Sequence, residues 1–222
     1  MRTISFMLFR TRIASAIALA AALAGCAREG ELVVDQGVGI TAVLSACPSV
    51  GVPDYTGDVT TFRTAGAPTV ANLDMTAAIT NLRSTCDDTS DKVYSEASFN
   101  VVARRNDVRG ARTVTLPYFV TVLQGGSAVV SKRVGQVTLN FADGQERAEA
   151  SSRAGSFVDR AAASLPADIR ERITRRRRAG DVDAALDPLA APEVKAAIAR
   201  TRFEMLIGFQ LTQEQLAYNA TR

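Results

Sequence analysis

Two stretches in the middle of the chain alternate apolar and polar residues at every second position, which is the pattern of strands that bury one face. The first spans residues 93–104, with Val93, Ala97, Phe99, Val101 and Ala103 on its apolar side. The second has Val114, Leu116, Tyr118, Val120 and Val122 on one side. Gln124-Gly125-Gly126-Ser127 then supplies the glycines of a tight turn before residues 128–141. These patterns predict antiparallel strands joined by a hairpin.

Further strand candidates precede this hairpin. Residues 39–45, 59–64 and 73–82 are rich in apolar and β-branched residues and are separated by turns that contain glycine and proline. Short antiparallel strands need a second sheet to cover their apolar face, so residues 32–159 predict a two-sheet β-sandwich. The architecture resembles immunoglobulin-like and fibronectin-like domains. The chain has no tryptophan, and we carry no functional residue over from this resemblance.

The next part of the chain is rich in alanine and arginine. Residues 146–160 alternate as a strand does, although their alanines also suit a helix, and we favour the strand. Pro166 and Gly180 bracket a predicted helix over residues 167–179, and Pro192 begins another.

The end of the chain returns to a period of two. Residues 202–211 predict the last strand of the sandwich, and Thr212 with Gln215 forms a capping-box pattern for a short terminal helix. We therefore predict a mainly β fold, an antiparallel immunoglobulin-like β-sandwich with a helical insertion over about residues 166–200 before the last strand.

The first residues of the chain have the form of an export signal. The basic residues Arg2, Arg10 and Arg12 precede an apolar run over residues 13–24, which is too short to span a bilayer comfortably. The run ends in Leu23-Ala24-Gly25-Cys26, which resembles the lipobox of bacterial lipoproteins. The resemblance implies that residues 1–25 are removed and that Cys26 becomes the acylated first residue. An ordinary signal peptide with an incidental cysteine is the alternative.

Cleavage before Cys26 would leave residues 26–222 as a single periplasmic domain. The 26 basic residues of the chain include three arginines in the leader, so 23 remain, which equals the number of acidic residues. A formally neutral mature chain favours no nucleic-acid partner. Ala27 stands where inner-membrane lipoproteins of well-studied bacteria carry Asp, and this resemblance implies anchoring in the outer membrane, facing the periplasm.

The two cysteines that remain, Cys47 and Cys86, suit a disulfide in an oxidising compartment. Closing a loop of this length would stabilise the fold by roughly 4 kcal/mol in the chain-entropy model. Two buried free thiols are the alternative. No metal or redox motif lies beside either cysteine.

The chain has no histidine, which excludes the usual serine and cysteine triads and most catalytic zinc sites. Carboxylate chemistry is left, with candidates at Asp87, Asp88 and Asp91 and at Asp181 and Asp183. Both clusters read first as turns, because Asp side chains bond to their own backbone there. The first cluster lacks the spacing of a calcium loop. We therefore expect no metal, no cofactor and no enzymatic activity.

Two basic segments are candidate contacts for anions. Arg175, Arg176, Arg177 and Arg178 are consecutive, so on a helix they would spread around its end rather than form one pocket. The simpler interpretation is a solvated helix terminus, and the alternatives are contact with anionic lipid or envelope polysaccharide, or with a partner protein. Residues 104–112 form a second basic cluster at a predicted hairpin tip.

Three functions are compatible with these features. The leading hypothesis is a lipid-anchored, non-catalytic envelope module that binds or scaffolds another envelope component, anchored to the membrane by its N-terminal lipid. The second is a carrier or sensor of a hydrophobic ligand, which requires an apolar cavity lined by residues such as Phe99, Tyr118 or Phe209. The third is a carboxylate-based hydrolase, which requires acidic side chains that converge in a cleft.

Overall fold

The computed structural model describes residues 45–64, 68–178 and 180–222, so Cys26 and most of the predicted strand over residues 39–45 lie outside the described residues. Within the described ranges the chain forms eight strands. They are β1 (Ser49–Gly51), β2 (Asp58–Phe62), β3 (Leu73–Asp87), β4 (Lys92–Arg105), β5 (Arg112–Gln124), β6 (Ala128–Phe141), β7 (Arg147–Asp159) and β8 (Phe203–Phe209).

The strands make two four-stranded sheets, in the orders β1-β8-β5-β6 and β2-β3-β4-β7. Only β1 and β8 pair in parallel; the other described pairs are antiparallel. The core lies between the sheets, where buried residues of β3, β4 and β7 meet those of β5, β6 and β8. Its largest members include Phe99, Leu139, Phe141, Met205 and Ile207, each at most 2% exposed. The predicted antiparallel β-sandwich is confirmed.

Two strand pairs, one in each sheet, are connected as they are in immunoglobulin domains. β4 pairs with β7 in one sheet, while the strands that follow them along the described chain, β5 and β8, pair in the other. Strands B with E and C with F are related in this way in immunoglobulin domains. The parallel β1 is a departure from that pattern.

The alanine-rich segment after residue 146 is a strand, as predicted. β7 pairs with β4 along its whole length, from Arg147 opposite Arg104 to Asp159 opposite Lys92. Helix propensity is a weak preference, and a complete ladder of backbone hydrogen bonds to a neighbouring strand overrides it.

Three α-helices belong to the C-terminal part of the chain: α1 (Ala167–Thr174), α2 (Pro192–Thr201) and α3 (Gln213–Thr221). α1 and α2 lie between β7 and β8 in the sequence, as predicted, but α1 ends five residues before the predicted Ala179. The predicted capping box of α3 is confirmed, because the Thr212 hydroxyl accepts from the Gln215 amide and the Gln215 side chain accepts from the Thr212 amide. Residues Thr174–Leu186 belong to a second compact unit.

Candidate functional site

The predicted disulfide between Cys47 and Cys86 is present, with the two Cα atoms 6.1 Å apart. Cys47 lies two residues before β1, and Cys86 lies near the end of β3 in the other sheet. The bridge therefore ties the two sheets together at one end of the sandwich. A cavity of about 190 Å³ lies beside it, lined in part by Cys47, Leu165 and Phe203. Sites for drug-sized ligands begin at roughly 300 Å³, so this cavity suits at most a very small molecule.

The four consecutive arginines lie after helix α1, which ends at Thr174, and not on it as predicted. Within their own segment, the side chains of Arg175 and Arg177 both contact the Asp183 carboxylate. The hydrogen bond from Arg175 is the main reason why the pKa of Asp183 lies below its usual value. Asp181 accepts a 2.9 Å hydrogen bond from the backbone amide of Arg178. Two of the four arginines therefore share the single negative charge of Asp183.

The second basic cluster contains a buried residue that the sequence analysis placed at an exposed hairpin tip. Arg105 is 1% exposed. Its guanidinium donates 2.8 Å hydrogen bonds to four backbone carbonyls, those of Val108, Gly110, Ala142 and Gln145, and lies 5.1 Å from the centroid of the Phe141 ring. Arg105 thus holds two neighbouring loops together and cannot contact an external anion.

The other arginines of this cluster have acidic partners. Arg104 contacts Glu146 at 2.5 Å, and Arg109 contacts Asp107 at 2.7 Å. The guanidinium of Arg112 donates two hydrogen bonds to Asp74, of 2.7 and 2.8 Å, and the pKa of Asp74 is lowered mainly for this reason. The expectation that residues 104–112 present a basic surface is therefore not supported by these contacts.

The first predicted acidic cluster begins with a turn at Asp87, whereas Asp183 of the second contacts arginine side chains. Asp87 accepts hydrogen bonds from the amide and hydroxyl of Thr89, which lower its pKa. Within the described ranges no group of three His, Cys, Asp or Glu side chains is placed to hold a metal ion. The described carboxylates with a shifted pKa, Asp74, Asp87, Asp107, Asp183 and Glu193, are all shifted downwards. A general acid needs the opposite shift.

The aromatic residues that could line a ligand cavity are core residues. Phe99, Tyr118 and Phe209 are all buried. The rings of Phe99 and Tyr118 meet edge to face with centroids 5.2 Å apart, which is a favourable packing geometry. These contacts resemble an ordinary sandwich core.

The outer edge of one sheet is the surface that the sequence analysis missed. Among the described strands, β6 is the last of its sheet and pairs only with β5. In residues 128–134 both faces of the strand are open, and Val129, Val130 and Val134 are 64%, 53% and 60% exposed. The rest of β6 contributes Val137, Leu139 and Phe141 to the core. The first half of β6 is thus a free, partly apolar edge.

Gly135 marks the point where β6 joins the sandwich. The Tyr118 ring lies so close to it that a Cβ at position 135 would fall 2.5 Å from Cζ of the ring. Beyond the glycine, the Tyr118 hydroxyl donates to the Arg153 carbonyl of β7 at 3.3 Å and accepts from the Ser152 hydroxyl at 3.0 Å. Tyr118 therefore bridges β6 and β7, the outer strands of the two sheets. The free edge of β6 precedes this bridge in the sequence.

Two cations lie on the free edge. Lys132 and Arg133 are adjacent, exposed and on opposite faces of β6, and in the described part of the chain neither forms an ion pair. The Lys132 ammonium lies 5.4 Å from the centroid of the Phe119 ring on β5. The edge combines exposed valines with unneutralised positive charge.

None of the helices in the described ranges is long and apolar enough to cross a membrane. No protein-family model matches the chain, and no curated protein or solved structure shows significant similarity to it.

Proposed function

We propose that the protein is a lipid-anchored, non-catalytic lipoprotein of the bacterial cell envelope, held in the outer membrane and facing the periplasm, that binds another envelope component. The anchor is proposed on the Leu23-Ala24-Gly25-Cys26 tetrapeptide behind a basic and apolar leader. The disulfide between Cys47 and Cys86 agrees with export to an oxidising compartment.

The observation that carries the binding role is the free edge of β6. A long edge strand with exposed apolar side chains offers unpaired backbone groups to another chain, and soluble proteins usually cover or shorten such edges. Here the edge is open over residues 128–134. The core packing of Phe99 against Tyr118 gives no support to the carrier alternative, and the arginine-paired carboxylates give none to the hydrolase.

The anchor is tested by replacing Cys26. With Cys26→Ser, we expect the protein to lose labelling by a radioactive fatty acid and to remain uncleaved at that site, because the thiol is the acylated group. The variant Cys47→Ser/Cys86→Ser is the matched control and should be labelled like the wild type. Labelling of the Cys26→Ser variant, or cleavage at another position in the wild type, would contradict the proposal.

The binding role is tested by capturing the intact lipoprotein from cross-linked envelopes and identifying its partners by mass spectrometry. We expect a protein that is retained by the wild type and is absent from a mock capture. Membrane fractionation of the same cells should place the protein with outer-membrane markers.

A further inference from the structure

We infer that the free edge of β6, residues 128–135, binds an extended acidic segment of another envelope protein, which adds to the sheet as a strand beyond β6. The inference rests on the proposed binding function and specifies its surface and the chemistry of its partner.

The backbone of β6 supplies the first part of the argument. Because β6 has β5 on one side and no strand of the described residues on the other, alternate residues direct their N–H and C=O groups away from the sheet. The opposite edges of the two sheets are much shorter, with β1 of three residues and β2 of five. Strand addition to an open sheet edge is a common mode of peptide recognition, in which backbone hydrogen bonds provide affinity and side chains provide specificity.

The other long edge is less suited to this role. β7 carries charges of both signs on its outer face, and two of them have partners within the chain: Glu149 accepts from Asn100 at 2.7 Å, and Arg153 lies 3.8 Å from Glu96. Its Gly155 is covered by the Tyr94 ring. β7 exposes one large apolar side chain, Phe157, whose ring lies 4.8 Å from that of Tyr94 between centroids. β6 exposes three valines, which would leave water when a strand is added, and this favours association.

The charges of β6 specify the partner. Side chains opposite each other on neighbouring strands are about 5 Å apart, so a strand added to β6 places one residue beside Lys132 and the next beside Arg133, on opposite faces. Two adjacent acidic residues would neutralise both cations, and β-branched residues on either side would pack against Val129, Val130 and Val134. A second copy of this chain, paired through the same residues, would instead bring four cations together.

The probe is the capped peptide Thr-Val-Glu-Glu-Thr-Val-Val-Thr, whose antiparallel register places its glutamates opposite Lys132 and Arg133. We expect it to bind the purified full-length protein in a fluorescence anisotropy titration. The same peptide with Lys-Lys in place of Glu-Glu should bind about ten-fold more weakly or worse, because like charges then face each other. Equal binding of the two peptides, or no binding of the glutamate peptide at concentrations up to about 1 mM, would overturn the inference.

A charge reversal on the protein supplies the second test. Lys132→Glu/Arg133→Glu should reverse the preference, so that the lysine peptide binds more tightly than the glutamate peptide. The matched control Lys195→Glu/Arg200→Glu makes the same charge change on exposed residues of α2, and it should retain the wild-type preference. A control that reverses the preference equally would show a net-charge effect and would refute a site on β6.

Backbone pairing is tested with two peptides that are N-methylated on alternate residues. In a strand only one alternating set of amides faces the neighbouring strand. Methylation of one set should abolish binding and methylation of the other should not, whereas equal effects would overturn strand addition. Self-association of the protein in sedimentation, lost on Lys132→Glu/Arg133→Glu, would identify a second copy as the occupant and would also overturn the inference.

Envelope capture separates this inference from the proposed function. Partners that are retained by the wild type and lost with Lys132→Glu/Arg133→Glu would support the edge as the binding surface. Partners that are retained equally by both would refute the edge while the binding function stands. A wild type that captures no partner would refute the proposed function itself.

Discussion

At the level of single residues, Arg105 shows which structural features a sequence pattern predicts and which it does not. The buried side of β4 consists of every second residue from Val93 to Ala103, and position 105 continues that series. The alternation along β4 therefore predicts that the side chain at position 105 points into the core. Because burying a charge is costly, an arginine at this position instead suggests that the strand has ended before it. The four carbonyl acceptors that offset this cost come from residues 108–110 and 142–145, and their convergence is not visible in the sequence.

The same residue yields a stability prediction. Arg105→Met keeps a long side chain but leaves four buried carbonyls without their donor, so we expect a loss of about 3–5 kcal/mol in the free energy of unfolding. The adjacent Arg104→Met removes only an exposed ion pair with Glu146 and should cost less than about 1 kcal/mol. Urea unfolding of both variants checks the difference, and equal losses would contradict the role assigned to Arg105.

At the level of elements, the strands were predicted better than the helices. Period-two alternation located β4, β5 and β6 because each buries one face, and the glycine turn between β5 and β6 is where it was expected. The predicted helix over residues 167–179 was too long: its composition favours helix throughout, but the chain beyond Thr174 turns and Arg175 and Arg177 contact Asp183 instead. Which strand forms a sheet edge could not be predicted, because it depends on pairings between distant segments.

The two sheets are also tied at the end opposite the disulfide, by Asp74 of β3 and Arg112 of β5. The pKa of Asp74 is lowered in the folded state, so the pair stabilises the fold above the ordinary carboxyl pKa near 4, and this contribution is lost as the pH falls through the folded value. We expect Asp74→Asn to cost about 1–2 kcal/mol at pH 7 and progressively less below pH 4. Urea unfolding across this pH range measures the difference. Asp54→Asn, in an exposed turn, is the control, and a pH-independent loss for Asp74→Asn would contradict the assignment.

At the level of the whole molecule, the sequence and the structure inform different parts of the function. The proposed location in the outer membrane depends on the leader and Cys26, which are local motifs that a sequence displays directly. The proposed binding edge depends on the arrangement of two sheets. In the two basic segments singled out in the sequence, five of the eight arginines contact a carboxylate, and Arg105 is buried against backbone carbonyls. Lys132 and Arg133, a shorter basic pair, have no carboxylate partner in the described chain.

The charge balance of the whole chain leads to a last prediction. Without its leader the protein is formally neutral, and Asp183 contacts two of the four consecutive arginines. The attraction of the protein to an anionic surface should therefore be weak. We expect the unlipidated chain beginning at Ala27 not to sediment with phosphatidylglycerol vesicles, at low or near-physiological salt. Replacing Arg175, Arg176, Arg177 and Arg178 by Gln should then change nothing. Sedimentation of the wild type at low salt that is lost with the Gln variant or on adding salt would instead identify the run as an anion contact, because screening weakens such attraction within a Debye length.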